Sequence, residues 1–239
     1  MAAEPQYIVS ADWLAARLDD PAVIVLDATT HLLARPVDPT PEVPYDVKPG
    51  LEDFEKGHIP GAQFVDIDGE LSDRSHPLHF MLPPAEQFAE GMARLGVSDD
   101  TTVVCYSTAF HWWATRLWWM LQVFGHRNAV VLDGGFQKWA ADGRPVETGS
   151  GRARARGVFT ARFHPELVAG KNDVLQAVQT GGACVLNALR PEQHAGGGAT
   201  NYGRWGHIRS SVNVPAAGVV GPDNTFRPRE ELRALLADT

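Results

Sequence analysis

The chain has 239 residues, 44% of them hydrophobic and 9% aromatic, enough to bury a substantial core, which excludes a disordered, collagen-like or disulfide-scaffold polypeptide. Its 21 Lys and Arg against 29 Asp and Glu leave a net charge of −8, which argues against nucleic acid or an anionic bilayer as the main partner. Neither a basic-then-apolar leader nor an apolar run of about eighteen residues is present, so a soluble cytoplasmic protein without membrane contact is expected.

In chain order, residues 12–18 carry a helical apolar period, and residues 22–26 (AVIVL) form a short β-branched run ending at Asp27. Residues 84–95 are again helical in period, 101–106 (TTVVCY) read as a strand, and 113–124 as a helix with Leu117, Met120, Leu121 and Phe124 on one face. Residues 129–132 (AVVL) give a further strand. Short continuous apolar strands alternating with helices predict an α/β fold with a mainly parallel sheet covered on both faces.

The unit begins twice. Val25-Leu26-Asp27-Ala28 is followed by Gly57-His58-Ile59-Pro60-Gly61, and Val185-Leu186-Asn187-Ala188 by Gly206-His207-Ile208-Arg209-Ser210. The first copy runs on through further strands and helices to Trp139, whereas the second reaches only the helical stretch 229–236 before Thr239. The expected organisation is a complete domain over residues 8–148, an exposed glycine and arginine linker over 149–159 (GSGRARARG), and an incomplete second copy over 160–239. An unfinished sheet leaves an open edge, so self-association there is expected, together with lower stability than in residues 8–148.

The stretches 52–68 (EDFEKGHIPGAQFVDID), Leu82-Pro83-Pro84, Leu95-Gly96-Val97, 114–120 (ATRLWWM), 132–139 (LDGGFQKW), 184–196 and 206–215 together resemble the tandem-domain rhodaneses, the thiosulfate and 3-mercaptopyruvate sulfurtransferases. The resemblance covers nearly the whole chain and implies a rhodanese-like domain, a central parallel sheet flanked by helices, followed by a shortened second copy. It further implies a cysteine on a loop at a helix N-terminus in the second domain, which takes sulfur from a small sulfur-containing anion as a persulfide. Convergent backbone N–H groups would hold such a thiolate ionised without a metal.

The chain departs from that pattern. Ser107 occupies the cysteine position of the first domain, and in the second domain the position falls beyond Thr239, so no catalytic residue is assigned. Cys105 and Cys184 lie in apolar β-type runs and read as buried, inert thiols. Where many family members have Asp-Ala-Arg, this chain has Asn187-Ala188-Leu189-Arg190; Arg190, one place displaced, is either a donor-binding group or a surface arginine. Residues 185–194 are similar to a bacterial subgroup of tandem sulfurtransferases, so this departure matches a subgroup habit. Asp68 aligns with an acidic residue near the interdomain cleft of mercaptopyruvate-using relatives, with a turn or cap as the plain alternative. Ser107, His111 and Trp112 on the loop complete the substrate-cleft candidates. His58 and His207 read as turn-ordering residues, and Trp118 and Trp119 as core. No phosphate loop, Ser/His/Asp order or metal cluster appears, and no cofactor is expected. Two functions remain open: a sulfurtransferase whose catalytic loop lies outside the chain, and a non-catalytic rhodanese-like binding module.

Overall fold

The computed structural model describes residues 6–34, 45–108, 110–198 and 204–237. The elements run β1 (Ile8–Val9), α1 (Ala11–Ala15), β2 (Val23–Asp27), β3 (Thr30–Ala34), β4 (Tyr45–Pro49), α2 (Leu51–Lys56), β5 (Gln63–Phe64), α3 (Ala85–Arg94) and β6 (Thr102–Tyr106). They continue through α4 (His111–Val123), β7 (Ala129–Leu132), α5 (Gly135–Ala141), α6 (Lys171–Thr180), β8 (Leu186–Asn187), α7 (Pro191–His194), β9 (Val212–Asn213) and α8 (Arg229–Leu236). The chain divides into two compact units, Met1–His31 with Val47–His164 and Leu32–Asp46 with Pro165–Thr239.

The first unit is built on a five-stranded sheet in the order β1-β7-β6-β2-β5, with every pairing parallel. The central register places Leu26 beside Cys105 and Asp27 beside Tyr106. Because side chains alternate along a strand, Val23, Val25, Val104, Tyr106, Val130 and Leu132 share one face. There they cluster with Leu14 of α1, Phe54 of α2 and Trp139 of α5. Ile24, Leu26, Val103, Cys105 and Val131 are buried toward the opposite face, and α4 packs on β6 and β7 with Leu117, Met120 and Leu121 buried. This is the helix-covered parallel sheet that the short β-branched runs require.

Several boundaries move. The first helix ends at Ala15, earlier than its apolar period, because the Arg17 amide turns onto the Leu14 carbonyl at 2.8 Å in a tightened last turn. Helix α4 begins at His111, before the apolar repeat starts, with extended Phe110 as its cap. Trp118 and Trp119 are half-buried and not core. Trp118 donates its indole N–H to the Ala129 carbonyl at 3.0 Å, and the Arg116 guanidinium lies 4.6 Å from the Trp119 ring centroid.

Segment 149–159, expected as an exposed linker, is strapped along the first unit, which extends to His164. Gly157 donates its amide to the Ala93 carbonyl at 2.8 Å, Asp99 donates to the Val158 carbonyl at 3.0 Å, and Phe159 is buried edge-on against Phe88. A Cβ at Gly157 would stand 2.2 Å from the Val97 carbonyl oxygen and one at Gly151 2.7 Å from the Ala62 carbonyl oxygen, so these two glycines serve close approach. Most of the segment's residues are exposed, as composition suggests, but composition is blind to the backbone pairing that holds the strap.

In the second unit β8 and β9 pair in parallel, Leu186 with Val212 and Asn187 with Asn213. Helix α6 starts where the Gly170 amide donates to the Asp173 carboxylate at 2.7 Å and ends at Gly181 in the left-handed region. Among its described residues Ser211 is buried and no hydrophobic side chain is. Cys184, expected as a buried thiol, is therefore exposed: strand β8 begins only at Leu186, and no core forms around it.

Candidate functional site

In a parallel α/β sheet, chemistry gathers where strands end at their carboxyl tips and loops run into helices. In the first unit β2 ends in Asp27 and β6 in Tyr106, directly side by side, and Ser107 opens the loop into α4. Asp27 is fully buried. Its Oδ1 accepts the Thr29 amide at 2.8 Å and the Thr29 hydroxyl, while the Tyr106 hydroxyl lies against the carboxyl group. Burial outweighs these donors and lifts the Asp27 pKa to about 6. Burial, and then the neighbouring Asp27 charge, raise the Tyr106 phenol well above its ordinary range.

From this cluster the polar network climbs into the loop. The Thr108 amide donates to the Thr29 hydroxyl at 2.7 Å. Ser107, which stands at the family cysteine position, is 1% exposed and its hydroxyl donates to the Phe110 carbonyl. The Phe136 amide closes on the Ser107 carbonyl at 3.3 Å. Ser107 thus spends its hydroxyl on the Phe110 carbonyl, which holds the loop shut. Ala109 lies outside the described residues.

His111, the first residue of α4, is buried, and burial lowers its pKa. Trp112 stacks on Phe110 with ring centroids 4.2 Å apart and planes at 18°, an aromatic shelf at the mouth of the loop. On a neighbouring loop Asp68 pairs with His79, 3.0 Å from Oδ2 to Nδ1, and also accepts the Phe80 amide at 3.4 Å. A carboxylate on Nδ1 selects the tautomer of an imidazole and orients its ring. These residues line a cavity of about 190 Å³ together with Ser72, Arg74 and His76. Phe80 ties that loop to α4: its ring lies 4.9 Å from Trp113 and its carbonyl takes the Arg116 guanidinium.

The sequence candidates thus separate. Asp68, Ser107, His111 and Trp112 all belong to the first unit. Arg190 belongs to the second, exposed, as the residue before α7, whose last residue His194 donates its amide to the Arg190 carbonyl at 3.0 Å. His79, Arg116 and Asp27 carry interactions that sequence reasoning passed over. For Asp27 a signal existed, the Asp-Ala step at the strand end that recurs as Asn187-Ala188; for His79, on an irregular loop, none did.

The thiols complete the inventory. Cys105 is fully buried and burial drives its pKa far above the ordinary thiol range, while Cys184 is exposed in the coil before β8 and not at a strand-to-helix loop. Among the described residues no group of His, Cys, Asp or Glu is arranged to hold a metal ion, and no helix is long and apolar enough to cross a membrane.

A family model described as "Rhodanese-like domain" matches residues 10–142. A sulfur carrier protein of Thermus thermophilus, TtuD, is 33% identical over 98% of this chain and 78% of its own length. The 3-mercaptopyruvate sulfurtransferase of Escherichia coli K12 is 35% identical over 96% of this chain and 78% of its own length, and the rat thiosulfate sulfurtransferase 33% identical over 97% and 76%. The crystal structure of SseA from Escherichia coli, a 3-mercaptopyruvate sulfotransferase with the rhodanese fold, superposes with a TM-score of 0.79 at 34% identity, covering 98% of this chain and 83% of that one. The parallel sheet, the closed loop at its carboxyl edge and these matches agree: the chain belongs to the rhodanese family and, by family, to the sulfurtransferases.

Proposed function

We propose that this chain is the leading part of a tandem-domain sulfurtransferase whose sulfur-carrying cysteine lies outside residues 1–239. The observation that carries the reading is Ser107, a buried hydroxyl locked onto the Phe110 carbonyl where the family places its thiol. Neither cysteine replaces it: Cys105 is sealed in the sheet, and Cys184 is exposed in the coil before β8, away from a strand-to-helix loop. The Escherichia coli and rat relatives, which extend beyond the matched stretch, are by name a 3-mercaptopyruvate and a thiosulfate sulfurtransferase.

On this reading a thiolate attacks the outer sulfur of a small sulfur-containing anion. An S–S bond forms as sulfite departs from thiosulfate, or as the C–S bond of 3-mercaptopyruvate breaks and the carbon takes a proton to give pyruvate. A thiophilic acceptor then removes the outer sulfur and restores the thiolate. Arg190, exposed at the start of α7, is the residue of the second unit suited to meet the donor anion, and the Asp68–His79 pair is the residue pair of the first unit suited to hold a proton.

The test is to incubate purified residues 1–239 with thiosulfate or 3-mercaptopyruvate, record the intact mass, and assay thiocyanate on adding cyanide. The expected result is no added sulfur and no thiocyanate from these residues, with both appearing in a longer chain that carries a second loop with cysteine. A cyanide-labile sulfur on residues 1–239 would overturn the reading and make Cys184 the carrier. A longer chain that also fails would favour a non-catalytic module, for which the locked Ser107 is the supporting feature.

A further inference from the structure

We propose that the stacked pair His194 and His207 makes the Gly-His turn of the second unit an acid-sensitive joint, one that the first unit lacks because Phe54 stands where His194 does. The two turns share a ring stack and a ring-to-carbonyl bond, and the first adds a backbone bridge between His58 and Glu147. In the first unit the His58 ring stacks on Phe54 with centroids 3.9 Å apart and planes at 7°, and its Nδ1 lies 2.8 Å from the Phe54 carbonyl. In the second unit the His207 ring stacks on His194 at 3.8 Å and 14°, and its Nδ1 lies 2.7 Å from the His194 carbonyl. The flanking amides match as well. Ala62 donates to Ile59 at 3.0 Å and Val65 to Asp27 at 2.8 Å; Ser211 donates to Ile208 and Val214 to Asn187, both at 2.9 Å.

The difference is chemical. A carbonyl only accepts, so Nδ1 of His207 carries its hydrogen in either charge state and further protonation falls on Nε2, leaving the bond intact. His58 stacks on a hydrocarbon ring and is wholly buried, so one side of that contact never titrates. His207 stacks on a second imidazole, and both rings lie where water reaches them, His194 half-buried and His207 exposed. Two imidazolium rings face to face at this separation repel, so a charge on both rings opposes the stack. Partial burial and then the His207 charge lower the His194 pKa.

Among the described residues the charge that acts on His194 is that of His207. Arg190 before α7, Glu192 on it, and Arg204 and Arg209 on the turn are exposed to solvent. Opening the stack loosens the ring contact that the turn makes on α7, a helix of 4 residues, while the His207 Nδ1 bond to the His194 carbonyl remains. The inference rests on geometry within the second unit and stands whether or not Arg190 binds a sulfur donor.

The experiment is amide hydrogen exchange on the full 239-residue chain at about pH 7.5 and about pH 5, corrected for intrinsic rates, on either side of the ordinary histidine range. Protection of Ser211, Val212 and Val214 is expected to fall at least about threefold on acidification while Ala62 and Val65 hold, and His194→Phe, which installs the first unit's ring, is expected to abolish the fall. No fall in the wild type, or an equal fall in His194→Phe, overturns the proposal. Ring resonances supply a second readout on the wild type and His207→Gln: the His194 midpoint is expected to rise in the variant, and an unchanged midpoint overturns the coupling.

Discussion

Asp27 offers the sharpest test of the buried polar cluster. Its pKa rises from 3.8 to about 6, so the folded first unit binds this proton more tightly than the unfolded chain does. Stability from this group is fully present below about pH 4 and is lost as pH rises through about 6, at 1.36 kcal/mol per pKa unit, giving about 3 kcal/mol in total. Asp27 is fully buried, so solvent does not dilute the effect. Asp27→Asn keeps an oxygen for the Thr29 amide and hydroxyl and removes the charge. The second unit already has that arrangement, with the Leu189 amide on Asn187 Oδ1 at 3.0 Å. Urea unfolding followed by tryptophan fluorescence reports the first unit, which holds Trp13, Trp112, Trp113, Trp118, Trp119 and Trp139. The difference in unfolding free energy, variant minus wild type, is expected to rise by about 2 kcal/mol between about pH 4 and pH 7, most of the full effect. A difference that stays flat over that range would show that Asp27 titrates like an exposed carboxylate, refuting the argument from burial.

Further outcomes follow from the same contacts. Ser107→Ala leaves the Phe110 carbonyl without its donor and is expected to cost about 1–2 kcal/mol in thermal unfolding, because the hydroxyl serves the loop. Alkylation at about pH 8 is expected to modify Cys184 in the native chain and Cys105 only after denaturation, with peptide mass spectrometry reporting each site; comparable native rates would contradict the burial of Cys105. Gly157→Ala forces the strap off the Val97 carbonyl and is expected to destabilise the first unit by about 2 kcal/mol, read as a lower urea midpoint. Amides of β2, β6 and β7 are expected to exchange far more slowly than those of β8 and β9, since the second unit buries no hydrophobic side chain among its described residues; equal protection would show that it has found a core.

Asp27 and Ser107 also show how far the chain could be read without coordinates. The runs VIVLD and TVVCY announce strands because short, largely apolar runs rich in β-branched side chains suit a sheet covered on both faces. The recurrence of Gly-His-Ile marks the repeat, and the missing thiol at position 107 is plain from order alone. These are local properties, set by which residue follows which. Tertiary structure decided the rest. Asp27 meets Tyr106 only because β2 and β6 pair in parallel register, and Asp68 meets His79 only because an irregular loop with left-handed Phe80 folds back. The glycine-arginine segment binds as a strap because its backbone finds partners at Ala93 and Asp99, and Cys184 is exposed because no core closes around β8. Burial, pKa and pairing belong to what surrounds a residue, and those surroundings are assembled from parts of the chain far apart in sequence.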